Sequence, residues 1–225
     1  MERITVLLAE DHPIVRVGFR ALLKQERDIE VVGEAATGRE AVQLTRKLRP
    51  AVVVMDIAMP LLNGLEATRQ IRKDFPDTRV IILSAHSDDA YVEQAVEFGA
   101  AGFLLKQTSS DNLGTAIREV QKGNTFFSDS ISKRRHGRDP GPLDQGGQFK
   151  KKSNRLSSRE VEVLQLIAEG KPNKQVAAEL GVSFKTVDKH RQNLMAKLDI
   201  HDVAGLTRYA ISAGIIESSV QITIV

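Results

Sequence analysis

The stretch Val52-Val53-Val54-Met55-Asp56 determines how the first half of the chain folds. Four apolar residues precede one carboxylate, and Pro50 and Pro60 bound the run on either side. Adjacent β-branched residues favour extended backbone, and a continuous apolar run is typical of a strand buried on both faces of a parallel sheet. A short buried helix is the alternative, but the flanking prolines favour the strand. Asp56 is therefore expected at the carboxyl edge of a sheet, where open α/β folds keep their chemistry.

An apolar strand followed by an amphipathic helix recurs five times within the first 125 residues. The predicted pairs are 4–9 with 13–24, 29–32 with 39–48, 52–55 with 65–71, 80–83 with 90–98, and 102–105 with 113–120. Five such units predict a parallel sheet covered by helices on both faces, with right-handed crossovers. We expect an α/β, flavodoxin-like (βα)5 fold with strand order 2-1-3-4-5, because a (β/α)8 barrel needs about 250 residues.

Composition limits the class of protein. With 225 residues, 41% of them hydrophobic, the chain can form one large or two ordinary domains. It contains no cysteine, which excludes disulfides and thiolate metal sites. No apolar stretch approaches the roughly 20 residues that cross a membrane. The first residues, Met1-Glu2-Arg3-Ile4, lack the layout of a signal peptide, so we expect a cytoplasmic protein without membrane contact.

The positive charge is concentrated in the middle of the chain. Residues 126–155 hold 8 Lys and Arg against 3 Asp and Glu, whereas residues 1–125 hold 16 against 18 and residues 156–225 hold 8 against 8. Periodicity is also lost there, which predicts a flexible tether. Its charge indicates an anionic partner or, equally well, a solvated linker. The predicted organisation is a first domain at 1–125, a basic linker at 126–154, a helical domain at 155–216 and a tail at 217–225.

Acidic residues follow two strands that the predicted order makes neighbours. Glu10 and Asp11 come after the first strand and should converge with Asp56 after the third. Two unit charges about 4 Å apart repel by about 4 kcal/mol at an effective dielectric constant near 20, so the cluster should hold protons or bind a cation. Mg²⁺ is the first choice for such oxygen ligands. Ser84 and Lys106 end the fourth and fifth strands at the same edge.

A carboxylate beside a metal ion, a hydroxyl and an ammonium can carry a phosphoryl group as a mixed anhydride, with Asp56 as the nucleophile. The motifs resemble the receiver domain of bacterial two-component response regulators. They are Glu10-Asp11, Met55-Asp56, Met59-Pro60, Gly64, Ser84-Ala85 and Gly102-Phe103-Leu104-Leu105-Lys106.

The resemblance implies that a histidine kinase phosphorylates Asp56 and that Glu10, Asp11 and Asp56 ligate Mg²⁺. It also implies that Ser84 and Phe103 occupy the switch positions of the family. Phe103 lacks the hydroxyl of the commoner Tyr, so its inward rotation would depend on packing alone. A purely structural role of Phe103 in the core is the alternative.

The second domain is expected to be all-α, with helices at about 159–168, 173–180, 184–198 and 203–212. The second and third of these meet at a turn that contains Gly181, and Ser183 supplies an N-cap, which is a helix-turn-helix signature. Val187, Leu194 and Leu198 mark the buried face of the third helix. Its opposite face, with the residue types of a recognition helix, should enter the major groove of double-stranded DNA.

Side-chain chemistry sorts the expected DNA contacts. Asp188, Lys189 and Gln192 are the candidates for base edges, because they can pair with cytosine, guanine and adenine respectively. The candidates for phosphate contacts are Asn173, Lys174, Ser183, Lys185, Thr186 and Arg191. His190 is interpreted as a core or phosphate-adjacent histidine and not as a metal ligand.

Residues 156–216 resemble the four-helix LuxR-type output domain, so the whole chain is similar to NarL/FixJ-type transcription regulators. The resemblance implies DNA binding gated by phosphorylation and a homodimer formed through the fourth helix. Val203 and Gly205 depart from the family pattern in that helix.

Two other functions fit parts of the sequence. A phosphatase of the haloacid-dehalogenase type would need a second Asp two residues after Asp56, where Ala58 stands. The receiver could instead serve as an unphosphorylated interaction module, but the complete set of site residues argues against this. We therefore expect no enzyme beyond aspartyl phosphorylation and dephosphorylation of the chain itself.

Overall fold

The computed structural model describes residues 3–85, 89–127 and 156–216. The chain divides into two compact units, Met1–Gly141 and Pro142–Val225. Most of the predicted basic linker and the whole predicted tail lie outside the described residues. None of the helices in the described ranges is long and apolar enough to cross a membrane.

The first unit alternates strands and helices as predicted. Its elements are β1 (Ile4–Ala9), α1 (Pro13–Lys24), β2 (Ile29–Ala35), α2 (Gly38–Leu48), β3 (Val52–Asp56), α3 (Gly64–Asp74), β4 (Arg79–Ser84), α4 (Asp89–Glu97), β5 (Gly102–Leu105), a 3-10 turn (Lys106–Thr108), α5 (Ser109–Gln121) and β6 (Phe126–Phe127). All strand pairs are parallel, in the order β2-β1-β3-β4-β5-β6. The predicted fold class and the order of the first five strands are therefore confirmed.

The sixth strand extends the predicted sheet. Phe126 and Phe127 pair with Gly102 and Phe103 of β5, and the Phe126 backbone N–H donates to the Ala101 carbonyl at 2.9 Å. Sequence analysis placed both residues in the linker, because two residues are too few to show a period of two. Their pairing depends on tertiary contact with β5, which no local pattern reveals.

Strand β3 is the centre of the first core. All five of its residues are buried. Val53 and Met55 pack in one cluster of buried side chains, whereas Val52 and Val54 pack in the other, on the opposite face of the sheet. Successive side chains of a strand point to opposite faces, so a continuous apolar run supplies both layers at once.

Within residues 156–216, the second unit contains four helices, α6 (Ser158–Ala168), α7 (Asn173–Leu180), α8 (Phe184–Leu198) and α9 (Val203–Ser212). Helix α6 begins with a capping box, in which Ser157 and Glu160 satisfy each other's backbone N–H groups. Gly181 ends α7 in the left-handed region at φ 63°, which glycine adopts without strain. The Ser183 hydroxyl then accepts from the Thr186 backbone N–H at 3.1 Å, so the tight turn between α7 and α8 is capped on both sides.

Gly64 is the point at which α3 comes closest to β3. A Cβ on Gly64 would lie 1.8 Å from the Asp56 carbonyl oxygen, and backbone atoms cannot move aside as a flexible side chain can. We expect Gly64→Ala to lower the free energy of unfolding by about 3 kcal/mol, the upper part of the range for overpacking. The measurement is urea denaturation of the full chain, followed by circular dichroism.

Gly18 is the matched control, because it lies in α1 and a Cβ there would meet nothing within 4 Å. Gly18→Ala should stabilise the protein by about 0.5–1 kcal/mol, since alanine loses less backbone entropy in a helix. A Gly64→Ala variant as stable as the wild type would show that α3 does not approach Asp56 this closely.

Candidate functional site

Two carboxylates and one ammonium meet at the carboxyl edge of the sheet. Glu10 directly follows β1 and Asp56 ends β3, and their exposed fractions are 0% and 2%. Lys106 follows β5, and its Nζ lies 2.9 Å from Glu10 Oε2 and 2.9 Å from Asp56 Oδ1. The order β1-β3-β4-β5 thus brings together side chains that are up to 96 positions apart in the sequence.

Asp11 and His12 complete this cluster on its outer side. One side-chain ligand atom from each of Glu10, Asp11, His12 and Asp56 lies within 4.8 Å of the others. His12 Nδ1 is 2.7 Å from Asp11 Oδ1 and 3.3 Å from Glu10 Oε1. Sequence analysis did not select His12. Its position directly after the Glu10-Asp11 pair was the available signal, and the residue is also the N-cap of α1, before Pro13.

Burial and charge shift the pKa values of these groups in different directions. Burial raises the pKa of Asp56 to about 6, and the Glu10 charge acts in the same direction while Lys106 opposes it. Burial alone would lower the pKa of Lys106, but the Asp56 and Glu10 carboxylates more than offset this, so the pKa is raised. The Asp11 carboxylate raises the pKa of His12.

Three buried carboxylate oxygens of the site, Glu10 Oε2, Asp11 Oδ1 and Asp56 Oδ2, have no hydrogen-bond partner among the described residues. Glu10 Oε2 forms an ion pair with Lys106, and Asp11 Oδ1 lies against His12. Asp56 Oδ1 pairs with Lys106, whereas Asp56 Oδ2 is buried without a hydrogen-bond partner among the residues that the structure describes. A buried carboxylate oxygen without a partner costs free energy, and it is also available to bind a cation or to form a bond. With Glu10 and Asp11 adjacent, the donor set consists of hard oxygen atoms and fits Mg²⁺.

Ser84 lies on β4, directly beside β3, and Phe103 lies on β5, the next strand along the sheet. Ser84 ends β4 and is 3% exposed, so its hydroxyl lies at the same edge as Asp56. Phe103 is fully buried in the cluster that contains Met55 and Ile82. Its ring therefore points into the core in this structure and forms part of the packing.

The residues expected to contact DNA lie on α7, on α8 and in the turn between them. Lys174, Ser183, Lys185, Lys189 and Gln192 are exposed, and Asn173, Thr186, Asp188 and Arg191 are partly buried. On the opposite face of α8, Val187 and Leu194 are fully buried, as predicted, whereas Leu198, in the last turn, is only partly buried. His190 is partly buried beside them.

Several of these polar residues bind one another. Gln192 Nε2 donates to Asp188 Oδ2 at 2.9 Å along α8, and Arg191 Nη1 donates to Asn173 Oδ1 at 3.1 Å between α8 and α7. A carboxylate can only accept, so the contact with Asp188 orients the amide and leaves Gln192 Oε1 available to accept from another donor. These pairs depend on side-chain conformation and could not be read from spacing.

Comparison with known proteins agrees with the division into two units. Residues 6–118 match the response regulator receiver domain, and residues 154–210 match the bacterial regulatory proteins of the luxR family. The transcriptional regulatory protein MctR of Rhizobium johnstonii is 38% identical over 214 residues, which cover 95% of this chain and 96% of MctR.

Two solved structures extend the similarity to three dimensions. The RcsB response regulator of Salmonella typhimurium is 29% identical, with a TM-score of 0.57, covering 94% of this chain and 100% of RcsB. A structure of two RcsB dimers bound to two parallel DNAs is 29% identical, also with a TM-score of 0.57, covering 94% of this chain and 99% of that one.

The raised pKa of Asp56 predicts how stability depends on pH. An acid whose pKa rises from 3.8 to about 6 on folding binds more protons in the folded than in the unfolded state between these values. The free energy of unfolding therefore falls as the pH rises through that window, by about 3 kcal/mol in total. Asp56→Asn removes this charge, and Lys106 keeps Glu10 as a partner.

We expect Asp56→Asn to be more stable than the wild type at pH 7, by up to about 3 kcal/mol, with the difference lost near pH 4. Urea denaturation in EDTA at both pH values measures it. Asp74→Asn, at the exposed end of α3, is the control and should change little at either pH. Equal stability of Asp56→Asn and the wild type at pH 7 would mean that Asp56 carries no such penalty.

Proposed function

Because this chain belongs to the response regulators that join a receiver domain to a luxR-family DNA-binding domain, we propose that phosphorylation of Asp56 controls its binding to DNA. The observation that carries the proposal is the state of Asp56. It is buried, one oxygen pairs with Lys106, and the other has no partner among the described residues. A histidine kinase is the proposed donor, as for the family, and the cytoplasm is the proposed location.

The proposed reaction transfers a phosphoryl group to the oxygen that lacks a partner. Asp56 Oδ2 forms the bond to phosphorus, the P–N bond of the kinase phosphohistidine breaks, and the imidazole leaves with the bonding electron pair. The Asp56 carboxylate must be ionised to react. Because its pKa is about 6, most of the protein molecules carry an ionised Asp56 at pH 7. Lys106 Nζ already contacts Oδ1 and is close enough to pair with the charge that the phosphoryl group brings.

The proposed metal ligands are Glu10, Asp11 and Asp56. When bound there, Mg²⁺ supplies positive charge that offsets the charge of the incoming phosphoryl oxygens. The fit rests on their close carboxylate oxygens and on the unpartnered Asp56 Oδ2. We propose that Ser84 and Phe103 report the phosphorylated state to the rest of the receiver. Ser84 would do so by its hydroxyl at the site edge, and Phe103 by its packing in the core.

We expect the full chain to gain the mass of one phosphoryl group when it is incubated with acetyl phosphate and Mg²⁺. Asp56→Asn should gain none, because an amide cannot act as the nucleophile, and EDTA should suppress the gain in the wild type. Intact-mass spectrometry measures incorporation, with Asp74→Asn as the matched control that should react like the wild type. Equal incorporation in the wild type and in Asp56→Asn would place the phosphoryl group on another residue and refute the assignment. No incorporation in either protein would favour an unphosphorylated interaction module.

For the second unit, we propose that α8 enters the major groove of double-stranded DNA and that the phosphorylated chain binds as a homodimer. Support for DNA binding comes from the luxR-family match and from the exposed polar face of α8. Support for the dimer comes from RcsB, whose dimers bind DNA. In the proposed assignment, Asp188, Lys189 and Gln192 read base edges. The proposed phosphate contacts are Asn173, Lys174, Ser183, Lys185, Thr186 and Arg191.

Gln192 and Lys174 provide a test that separates base reading from charge attraction. Gln192→Ala should weaken binding to the preferred sequence by about 1–3 kcal/mol and relax the preference at particular bases. Lys174→Ala should weaken binding to all sequences alike. It should also reduce, by about one unit, the slope of the logarithm of the binding constant against the logarithm of the salt concentration. Titration by fluorescence anisotropy at several salt concentrations measures both, with preferred and random duplexes.

The basic residues of the predicted linker at 126–154 add nonspecific affinity that reduces the loss measured at Lys174. Lys150, Lys151 and Lys152 should therefore be replaced together in a background in which both variants are measured again. The two assignments are reversed if Gln192→Ala lowers affinity equally on both duplexes while Lys174→Ala changes sequence preference.

A further inference from the structure

An aromatic side chain stands exposed at the start of the proposed recognition helix. Phe184 is the first residue of α8, and 58% of it is accessible to solvent. Among the described residues of the second unit, the other large exposed apolar side chains are Val203 and Ile211, both on α9. The DNA contacts inferred from the sequence do not include Phe184.

The position of Phe184 along α8 places it beside the base-reading residues. Phe184, Asp188 and Gln192 follow one another at intervals of four residues and so lie along one side of the helix. Lys185 and Lys189 form the adjacent row, and both are exposed. The N-terminal end of the second helix of a helix-turn-helix is also the end that contacts base edges. The ring is therefore part of the surface that would face DNA.

The contacts around Phe184 hold the first turn of α8 in place. The Ser183 hydroxyl caps the helix directly before it, at 3.1 Å from the Thr186 backbone nitrogen, and Val187 anchors the same turn in the core with no exposed surface. A ring on a helix lying in the major groove meets the edges of base pairs, because their faces are covered by stacking. Reaching a face would require unstacking, which costs a few kcal/mol per step.

Building on the proposed function, we propose that Phe184 packs against the 5-methyl group of a thymine in the major groove and is a residue that determines sequence preference. Among the unmodified bases, only thymine presents an apolar group there, whereas the other edges present hydrogen-bond donors and acceptors that a phenyl ring cannot satisfy. Gln192 lies eight residues further along α8, or about 12 Å at 1.5 Å per residue. At about 3.4 Å per base pair, the thymine should therefore lie about three to four base pairs from the base that Gln192 reads.

The test uses the duplex that the phosphorylated full chain enriches from a randomised DNA pool. Each thymine of that duplex is replaced in turn by deoxyuridine, which removes the methyl group and leaves every hydrogen-bonding group unchanged. For the wild type, deoxyuridine at one thymine per half-site should weaken binding about fourfold, as expected for one buried methyl-sized group. In Phe184→Ala, the ratio of the affinities for the thymine duplex and the deoxyuridine duplex at that position should fall to one.

Two further variants make the result specific. Phe184→Leu keeps an apolar side chain at the same place and should retain most of the discrimination, which also shows that the helix is intact. Val203→Ala removes an exposed apolar side chain from α9 and should leave the ratio unchanged, even if it alters overall affinity.

The outcomes separate this inference from the proposed function. Three results would overturn the assignment and leave DNA binding intact. The enriched sequence could lack a thymine in each half-site, or the wild type could bind thymine and deoxyuridine equally at every position. The third is a Phe184→Ala variant that discriminates between thymine and deoxyuridine as strongly as the wild type. Failure of the wild type to enrich any sequence would overturn both. A ratio that is lost in Phe184→Ala and retained in Phe184→Leu and Val203→Ala would establish the contact.

Discussion

The burial of negative charge at Asp56 is the constraint on which the first unit depends. Three carboxylates, Glu10, Asp11 and Asp56, share one corner of the sheet with the Lys106 ammonium and the His12 imidazole. The ammonium offsets part of the repulsion, yet the pKa of Asp56 remains raised to about 6 and one of its oxygens lacks a partner among the described residues. Added positive charge would stabilise such a site, because it lowers the repulsion between the carboxylates. A bound cation would also offset the negative charge of a phosphoryl group, so the two are expected to be accommodated together.

The sheet makes this crowding possible because it fixes the backbone on both sides of Asp56. Strand β3 lies between β1 and β4, and its alternate side chains are anchored in two separate buried clusters. Gly64 brings the start of α3 against the Asp56 carbonyl, closer than any other residue type would allow. The carboxylate therefore cannot relax away from its neighbours, and the electrostatic cost stays local. A rigid scaffold of this kind holds like-charged groups closer together than they would stay if they were free in water.

Sequence reasoning succeeded where periodicity and topology determine the answer. The valine run of β3 and its flanking prolines predicted a doubly buried strand, and the order of five strands then required Glu10 to meet Asp56. It failed where the outcome depends on contacts between distant segments. Strand β6 forms because Phe126 and Phe127 pair with the edge of β5. Helix α5 begins at Ser109, four residues before its apolar pattern starts. The contacts of Asp188 with Gln192 and of His12 with Asp11 depend on side-chain conformation, which residue spacing does not specify.

In the proposed function, the chemical state of Asp56 in the first unit sets the DNA affinity of the second. The most direct measurement is the affinity of the full chain for its preferred duplex, before and after treatment with acetyl phosphate and Mg²⁺, with the mass of the complex determined by light scattering. Coupling between two sites is typically 1–3 kcal/mol, so treatment should tighten binding by about 5- to 150-fold in the wild type and should produce a dimer on DNA. Asp56→Asn should show neither change. Equal affinity of the treated and untreated wild type, with the phosphoryl group verified on the protein, would contradict the account.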